Sequence, residues 1–189
     1  MRSRIALGVF LCLLSVYLVS YSGHIHSIDE AHIIATTVSM EKGRLDVNQL
    51  AFYHPSFDRV SRVGTVGLSG DLFCKKGVAT SLLAFPFVWM SKFVPGVGAV
   101  HLAHLTNGVI TAATGSLVFL YLTTLGFSMQ ASLLSALTWG LGTMAWPYAR
   151  LLFAEPVAAL GLLAGFYGSA LFRRRHLPGA ALLSGLGFG

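Results

Sequence analysis

Residues 93–149 read FVPGVGAVHLAHLTNGVITAATGSLVFLYLTTLGFSMQASLLSALTWGLGTMAWPYA, with no aspartate, glutamate, lysine or arginine anywhere in the run. Such a stretch cannot form the surface of a water-soluble domain, where about a quarter of the residues are charged. The rest of the 189-residue chain agrees, being 11% charged and 54% hydrophobic with a mean hydropathy of +0.71. Disorder is excluded by the same composition, because disordered chains are poor in apolar residues and rich in charge. The expectation is an all-α, polytopic transmembrane helix bundle, since a helix satisfies its own backbone inside lipid.

Working outward, His101 to Leu125 is long enough to cross a bilayer, and Ala131 to about Tyr148 reads as the next span. Trp146-Pro147-Tyr148-Ala149-Arg150 then forms a hinge leading to Ala154-Glu155-Pro156. Val157 to Phe172 spans again and ends on Arg173-Arg174-Arg175-His176. The apolar segment from Pro178 to Gly189 is too short to cross, so residues 1–189 read as the N-terminal part of a longer membrane domain. Upstream, Ile5 to Tyr21 is the first span, behind Arg2 and Arg4. A retained signal-anchor is the favoured reading; a cleaved signal peptide, with Ser20-Tyr21-Ser22 at the cleavage position, is the competing one.

Between these spans lies a polar external loop, about 22–100, holding six of the seven acids. Ser27-Ile28-Asp29-Glu30 is a capping box that opens a helix. Ala31, Ile34, Ala35 and Val38 follow at helical spacing and Gly43 stops it. The pattern predicts a short amphipathic juxtamembrane helix lying along the bilayer surface. Irregular chain is expected from Arg44 to Lys76, punctuated by Pro55, Gly64, Gly67 and Gly70. Gly77 to Ser91, interrupted by Pro86, falls short of the roughly 20 residues a crossing needs and reads as an interfacial helix. With that run not crossing, Arg2 and Arg4 lie inside, the Arg173 cluster lies inside, and Asp29 and Glu155 lie outside, as the positive-inside bias favours.

The net charge of +6 comes from basic residues at membrane flanks rather than from a groove, which argues against nucleic acid as a partner. Cys12 lies in an apolar run and Cys74 outside any, and neither belongs to a zinc spacing. Among candidate site residues, Glu30 is accounted for by the capping box, whereas Asp29 has only the helix dipole to favour it. Glu155, wedged between two apolar runs, is expensive unless it meets water or a partner, and Arg150 is near enough for a local pair. Lys75 and Lys76 stand at the headgroup level as point charges for a lipid or a lipid-linked phosphate. His24, His26 and His32 beside Asp29 and Glu30 offer nitrogen and oxygen ligands to a divalent metal ion, though at no recognised spacing. His101 and His104 share a helix face and read as packing or interfacial residues.

Taken in order, these motifs resemble the N-terminal part of GT-C membrane glycosyltransferases, the group that includes protein O-mannosyltransferases and aminoarabinose transferases. The matching pieces are Ser27-Ile28-Asp29-Glu30-Ala31 after a first span, Lys75-Lys76-Gly77-Val78-Ala79-Thr80-Ser81-Leu82-Leu83-Ala84-Phe85-Pro86, and Tyr148-Ala149-Arg150-Leu151-Leu152-Phe153-Ala154-Glu155-Pro156. The resemblance implies transfer of a sugar from a polyprenyl-phosphate donor to an acceptor hydroxyl on the external face of a bacterial or archaeal plasma membrane. It implies Asp29 and Glu155 as catalytic acids facing one external cavity, with Lys76, Arg150 and Glu30 as substrate-binding residues. In some members a divalent metal joins the first acid; Lys75 stands here where some relatives carry an acid, which counts against that. The rival readings are a non-catalytic scaffold or transporter fragment, and a GT-C-like chain that has lost activity or cannot work without its C-terminal part.

Overall fold

The computed structural model describes residues 1–53, 64–176 and 178–188. It is largely helical, with one two-stranded sheet. Three of its helices are long and apolar enough to cross a membrane: α1 (Arg2–Val19), α4 (Ala99–Leu125) and α7 (Glu155–Arg175). The chain divides into two compact units.

The first unit holds Met1–Tyr21, Asn107–Arg150 and Glu155–Gly189. Its core gathers Leu13 and Tyr17 of α1 with Ala112 and Phe119 of α4 and Ala136 of α5 (Met129–Gly142). Small residues set the approach here. Leu13 occupies the space where a Cβ on Gly115 or Gly140 would fall, and the Tyr17 hydroxyl donates to the Gly140 carbonyl at 2.9 Å. Ser116 donates to the Ala6 carbonyl at 2.7 Å, so α1 and α4 are also tied by a polar contact. Such small-residue contacts and hydroxyl bonds replace the hydrophobic driving force that lipid does not supply.

The span expected over 131–148 is not one helix. α5 has 14 residues, about 21 Å of rise against a hydrocarbon core of about 30 Å. Gly140 and Gly142 weaken its last turn, and Thr143 is extended at φ −126, ψ −175. The Thr143 hydroxyl donates back to the Trp139 carbonyl at 2.6 Å and accepts the Ala145 N–H at 3.1 Å. One side chain thus bonds on both sides of the break between α5 and the short helix α6 (Ala145–Ala149). Trp146 then donates its indole N–H to the Ser20 hydroxyl at 2.9 Å. Beyond α7, His176 at φ 51 bonds back to the Phe172 carbonyl at 2.8 Å, and α8 (Pro178–Phe188) returns along α7. A Cβ on Gly187 would meet the Gly161 carbonyl at 2.5 Å, and the Ser169 and Ser184 hydroxyls pair at 2.7 Å.

The second unit holds Ser22–Thr106 and Leu151–Ala154. α2 (Ile28–Met40) begins on the expected capping box and ends before Gly43 at φ +68. It is not the one-sided surface helix that its apolar spacing predicts. Glu30, His32, Ile33, Ile34, Ala35, Thr36, Thr37 and Ser39 are all buried, because neighbours cover most of the helix, among them Val88, Ala103 and Leu152 against Ile33 and Ile34. Thr37 donates to the Ile33 carbonyl at 2.7 Å, Ser81 of α3 (Ala79–Met90) donates to the same carbonyl at 3.2 Å, and Gln49 donates to the Ala35 carbonyl at 2.8 Å. Lys92 closes the far end on Glu41 at 2.9 Å.

The loop expected to be irregular over 44–76 carries structure at both described ends; Pro55 lies outside the described residues. β1 (Thr65–Val66) pairs antiparallel with β2 (Leu72–Phe73), and Gly70 at φ +86 supplies the turn. Asn48 joins the hairpin to the preceding segment, accepting the Leu72 N–H at 2.8 Å and donating to Asp71 at 2.8 Å. Arg44 pairs with Asp46 at 2.6 Å beside it. α3 has 12 residues, fewer than the roughly 20 a crossing needs.

Candidate functional site

α2 positions two adjacent acids in opposite surroundings. Ser27 accepts the Glu30 N–H at 3.3 Å, and the Glu30 carboxylate reaches back to the N–H groups of Ser27 at 2.9 Å and His26 at 2.5 Å. Its other oxygen accepts the Leu152 N–H at 3.0 Å. His104 of α4 lies against the same carboxylate, Nε2 to Oε1 at 3.4 Å, with its Nδ1 at 2.8 Å from the Val100 carbonyl. Glu30 and His104 are both fully buried. Glu30 therefore knots three separate segments of the chain together. The substrate-binding role expected for it is not compatible with its zero exposure and three backbone partners.

Asp29 turns the other way. Its carboxylate pairs with the Lys76 ammonium at 2.9 Å, and the two side chains remain 38% and 40% exposed. Two residues singled out from separate motifs in the sequence are thus in direct contact. Around them, burial pushes the His32 imidazole below its usual range; Asp29 opposes that shift while Lys75 and Lys76 add to it. The His32 Nε2 atom is buried and has no hydrogen-bond partner among the described residues. Burial pushes the Cys74 thiol up, although the Lys76 N–H bonds its sulfur at 3.2 Å.

Glu155 and Arg150 belong to the other unit. Glu155 is exposed in the first turn of α7, where a negative charge suits the helix dipole. It lines a pocket of about 320 Å³ with Thr111, Thr114, Trp139 and Tyr148. Arg150, also exposed, caps the C-terminus of α6.

The metal reading does not fit these residues. Among the described residues no three His, Cys, Asp or Glu side chains converge as ligands. Asp29 is engaged by an ammonium, and the Glu30 oxygens are taken up by backbone N–H groups.

What sequence reasoning missed is the partner of His104, read as a packing or interfacial residue. Its only signal was a titratable side chain inside an apolar helix, which by default asks for a partner. No protein-family model, curated protein or solved structure matches the chain.

Proposed function

We propose that this chain forms part of a membrane-embedded glycosyltransferase of the GT-C type, moving a sugar from a polyprenyl-phosphate carrier to an acceptor hydroxyl outside a bacterial or archaeal cell. The observation that supports this reading is the 2.9 Å contact of Asp29 with Lys76. It holds a carboxylate and an ammonium side by side, accessible to water, next to a helix that exposes Leu82, Leu83, Trp89 and Met90. α3 is apolar on its outer side and has Lys75 and Lys76 before it and Lys92 after it, the arrangement of a helix lying in the headgroup layer.

In this account Asp29 accepts the proton of the acceptor hydroxyl as its oxygen attacks the anomeric carbon. The bond from that carbon to the phosphate oxygen breaks, and the polyprenyl phosphate leaves with the electron pair. Lys76 stabilises the charge on that departing phosphate. The resting ion pair keeps both groups placed until a donor phosphate competes for the lysine.

The test uses the full-length protein in proteoliposomes with labelled polyprenyl-phosphate sugars. Asp29→Asn is expected to lower kcat by about 10²-fold or more, the scale of a lost general base. Lys76→Gln is expected to raise KM for the donor as well as lower kcat. Wild-type turnover that survives Asp29→Asn removes Asp29 from the mechanism and leaves the pair as a structural contact.

A further inference from the structure

Contacts within the first unit fix which helix ends meet. The Ser20 hydroxyl accepts the Trp146 indole N–H at 2.9 Å, and the Ala149 carbonyl lies 3.6 Å from where a Cβ on Gly108 would fall. The C-terminal end of α1 is therefore near Gly108, and α1 runs antiparallel to α4 with its Ala6 carbonyl bonded to Ser116. α7 runs parallel to α4. Glu155 at its start lines a pocket with Thr111 and Thr114, and an Arg174 guanidinium nitrogen near its end lies 3.6 Å from the Cβ position of Gly126. The N-terminus of α1 and the C-termini of α4 and α7 thus share one end of the unit. Arg2, Arg4, Arg173 and Arg174 are gathered there, all four exposed. Among the described residues no ion pair engages any of them. Glu155, the unit's one acid, is at the opposite end of α7, about 27 Å of helix from Arg173.

A groove of about 250 Å³ lies between α1 and α4 beside this end. Ala6, Leu7 and Phe10 line it from α1, and Ala113, Leu117 and Leu120 from α4. The one hydroxyl in its wall, that of Ser116, is spent on the Ala6 carbonyl, so the groove offers an apolar chain a wholly apolar seat. Arg2 continues the Ala6–Phe10 stripe at four-residue spacing, one turn beyond the groove. The helix dipole accounts for Arg173 and Arg174, because cations suit a helix C-terminus. It does the opposite for Arg2 and Arg4, which stand at a helix N-terminus with no carboxylate to offset them. We propose that this end of the unit binds an anionic phospholipid. One acyl chain lies in the α1–α4 groove, Arg2 and Arg4 donate to the phosphate oxygens, and Arg173 and Arg174 add positive potential. Helices long and apolar enough to cross a bilayer hold the groove at the level of the acyl chains. The site is at the far end of the unit from Glu155 and does not rest on the glycosyl-transfer reading.

Native mass spectrometry of the full-length protein in detergent, titrated with phosphatidylglycerol and phosphatidylcholine of identical acyl chains, tests this. Wild type is expected to retain phosphatidylglycerol about tenfold more tightly than phosphatidylcholine. The Arg2→Gln, Arg4→Gln double variant is expected to lose that preference, and the Arg2→Lys, Arg4→Lys variant to keep most of it. Arg173→Gln with Arg174→Gln is expected to weaken it by a smaller factor. Leu7→Trp adds bulk to the groove from an exposed position and is expected to weaken both lipids together. Equal retention of the two lipids by wild type overturns the proposal without any variant. A preference unchanged by Arg2→Gln with Arg4→Gln overturns it too, as does full binding by Leu7→Trp. Displacement of the lipid by inorganic phosphate would make the arginines a free-phosphate site and also overturn it. Polyprenyl phosphate retained ahead of phosphatidylglycerol does the same, since the groove would then belong to a different lipid.

Discussion

Asp29 and Glu30 stand next to each other in the first turn of α2, and their side chains predict opposite mutational behaviour. Removing the Glu30 carboxylate strands three backbone N–H groups and takes away the group that the buried His104 Nε2 lies against. Glu30→Ala should therefore destabilise the protein by about 3 kcal/mol or more. Asp29→Ala breaks only a half-exposed ion pair and should cost under about 1 kcal/mol. Thermal unfolding in detergent separates the two; equal losses would mean the Glu30 knot carries no special stability. His32 predicts a pH dependence. Burial holds its folded-state pKa below the usual 6.5, so at acid pH the unfolded chain binds more protons than the folded one. Its contribution to stability is whole above about pH 6.5 and fades as pH falls through that value toward the folded pKa. His32→Gln should flatten the melting temperature measured from about pH 8 down to 5, and an unchanged slope would assign the acid sensitivity elsewhere.

At the scale of elements, what was legible is what depends on local pattern. The capping box at Ser27, the stop at Gly43 and the three long apolar helices all follow from short-range periodicity and residue chemistry. The break after Gly142 was only half legible: Gly140 and Gly142 weaken the last turn, but apolar composition continues through it, and the Thr143 hydroxyl bonds both ways along the chain there. The burial of α2 was hidden for a related reason. Thr36, Thr37 and Ser39 look like a solvent face until their tertiary neighbours are known. The Asp29–Lys76 contact was half legible: each residue stood out in its motif, but nothing in their spacing brought them together. Packing of α1 makes its own prediction. Gly140→Leu would drive a side chain into Leu13 and displace the Tyr17 bond. Overpacking of this kind costs about 1–3 kcal/mol, and the Gly140→Leu protein should melt correspondingly lower than wild type. Tolerance of that substitution would contradict the small-residue account of the α1–α5 contact.

At the scale of the whole molecule, charge is concentrated where the chain is not apolar. One unit carries the buried Glu30 knot and the accessible Asp29–Lys76 pair, and the other carries α1, α7, most of α4 and the Glu155 pocket. A purely structural ion pair largely survives exchange, because opposite charges attract in either order; the only loss is the helix-dipole preference for an acid at position 29, about 0.3–1 kcal/mol. A base and a phosphate-neutralising group do not, because each acts on a different atom of the substrates. The measurement that separates these is sugar transfer by the full-length Asp29→Lys, Lys76→Asp double variant, compared with wild type and with Asp29→Lys alone. The account predicts that wild type transfers sugar and that the exchange recovers the thermal stability lost by Asp29→Lys while transfer stays abolished. Transfer restored by the exchange would contradict it and make the pair a structural clasp.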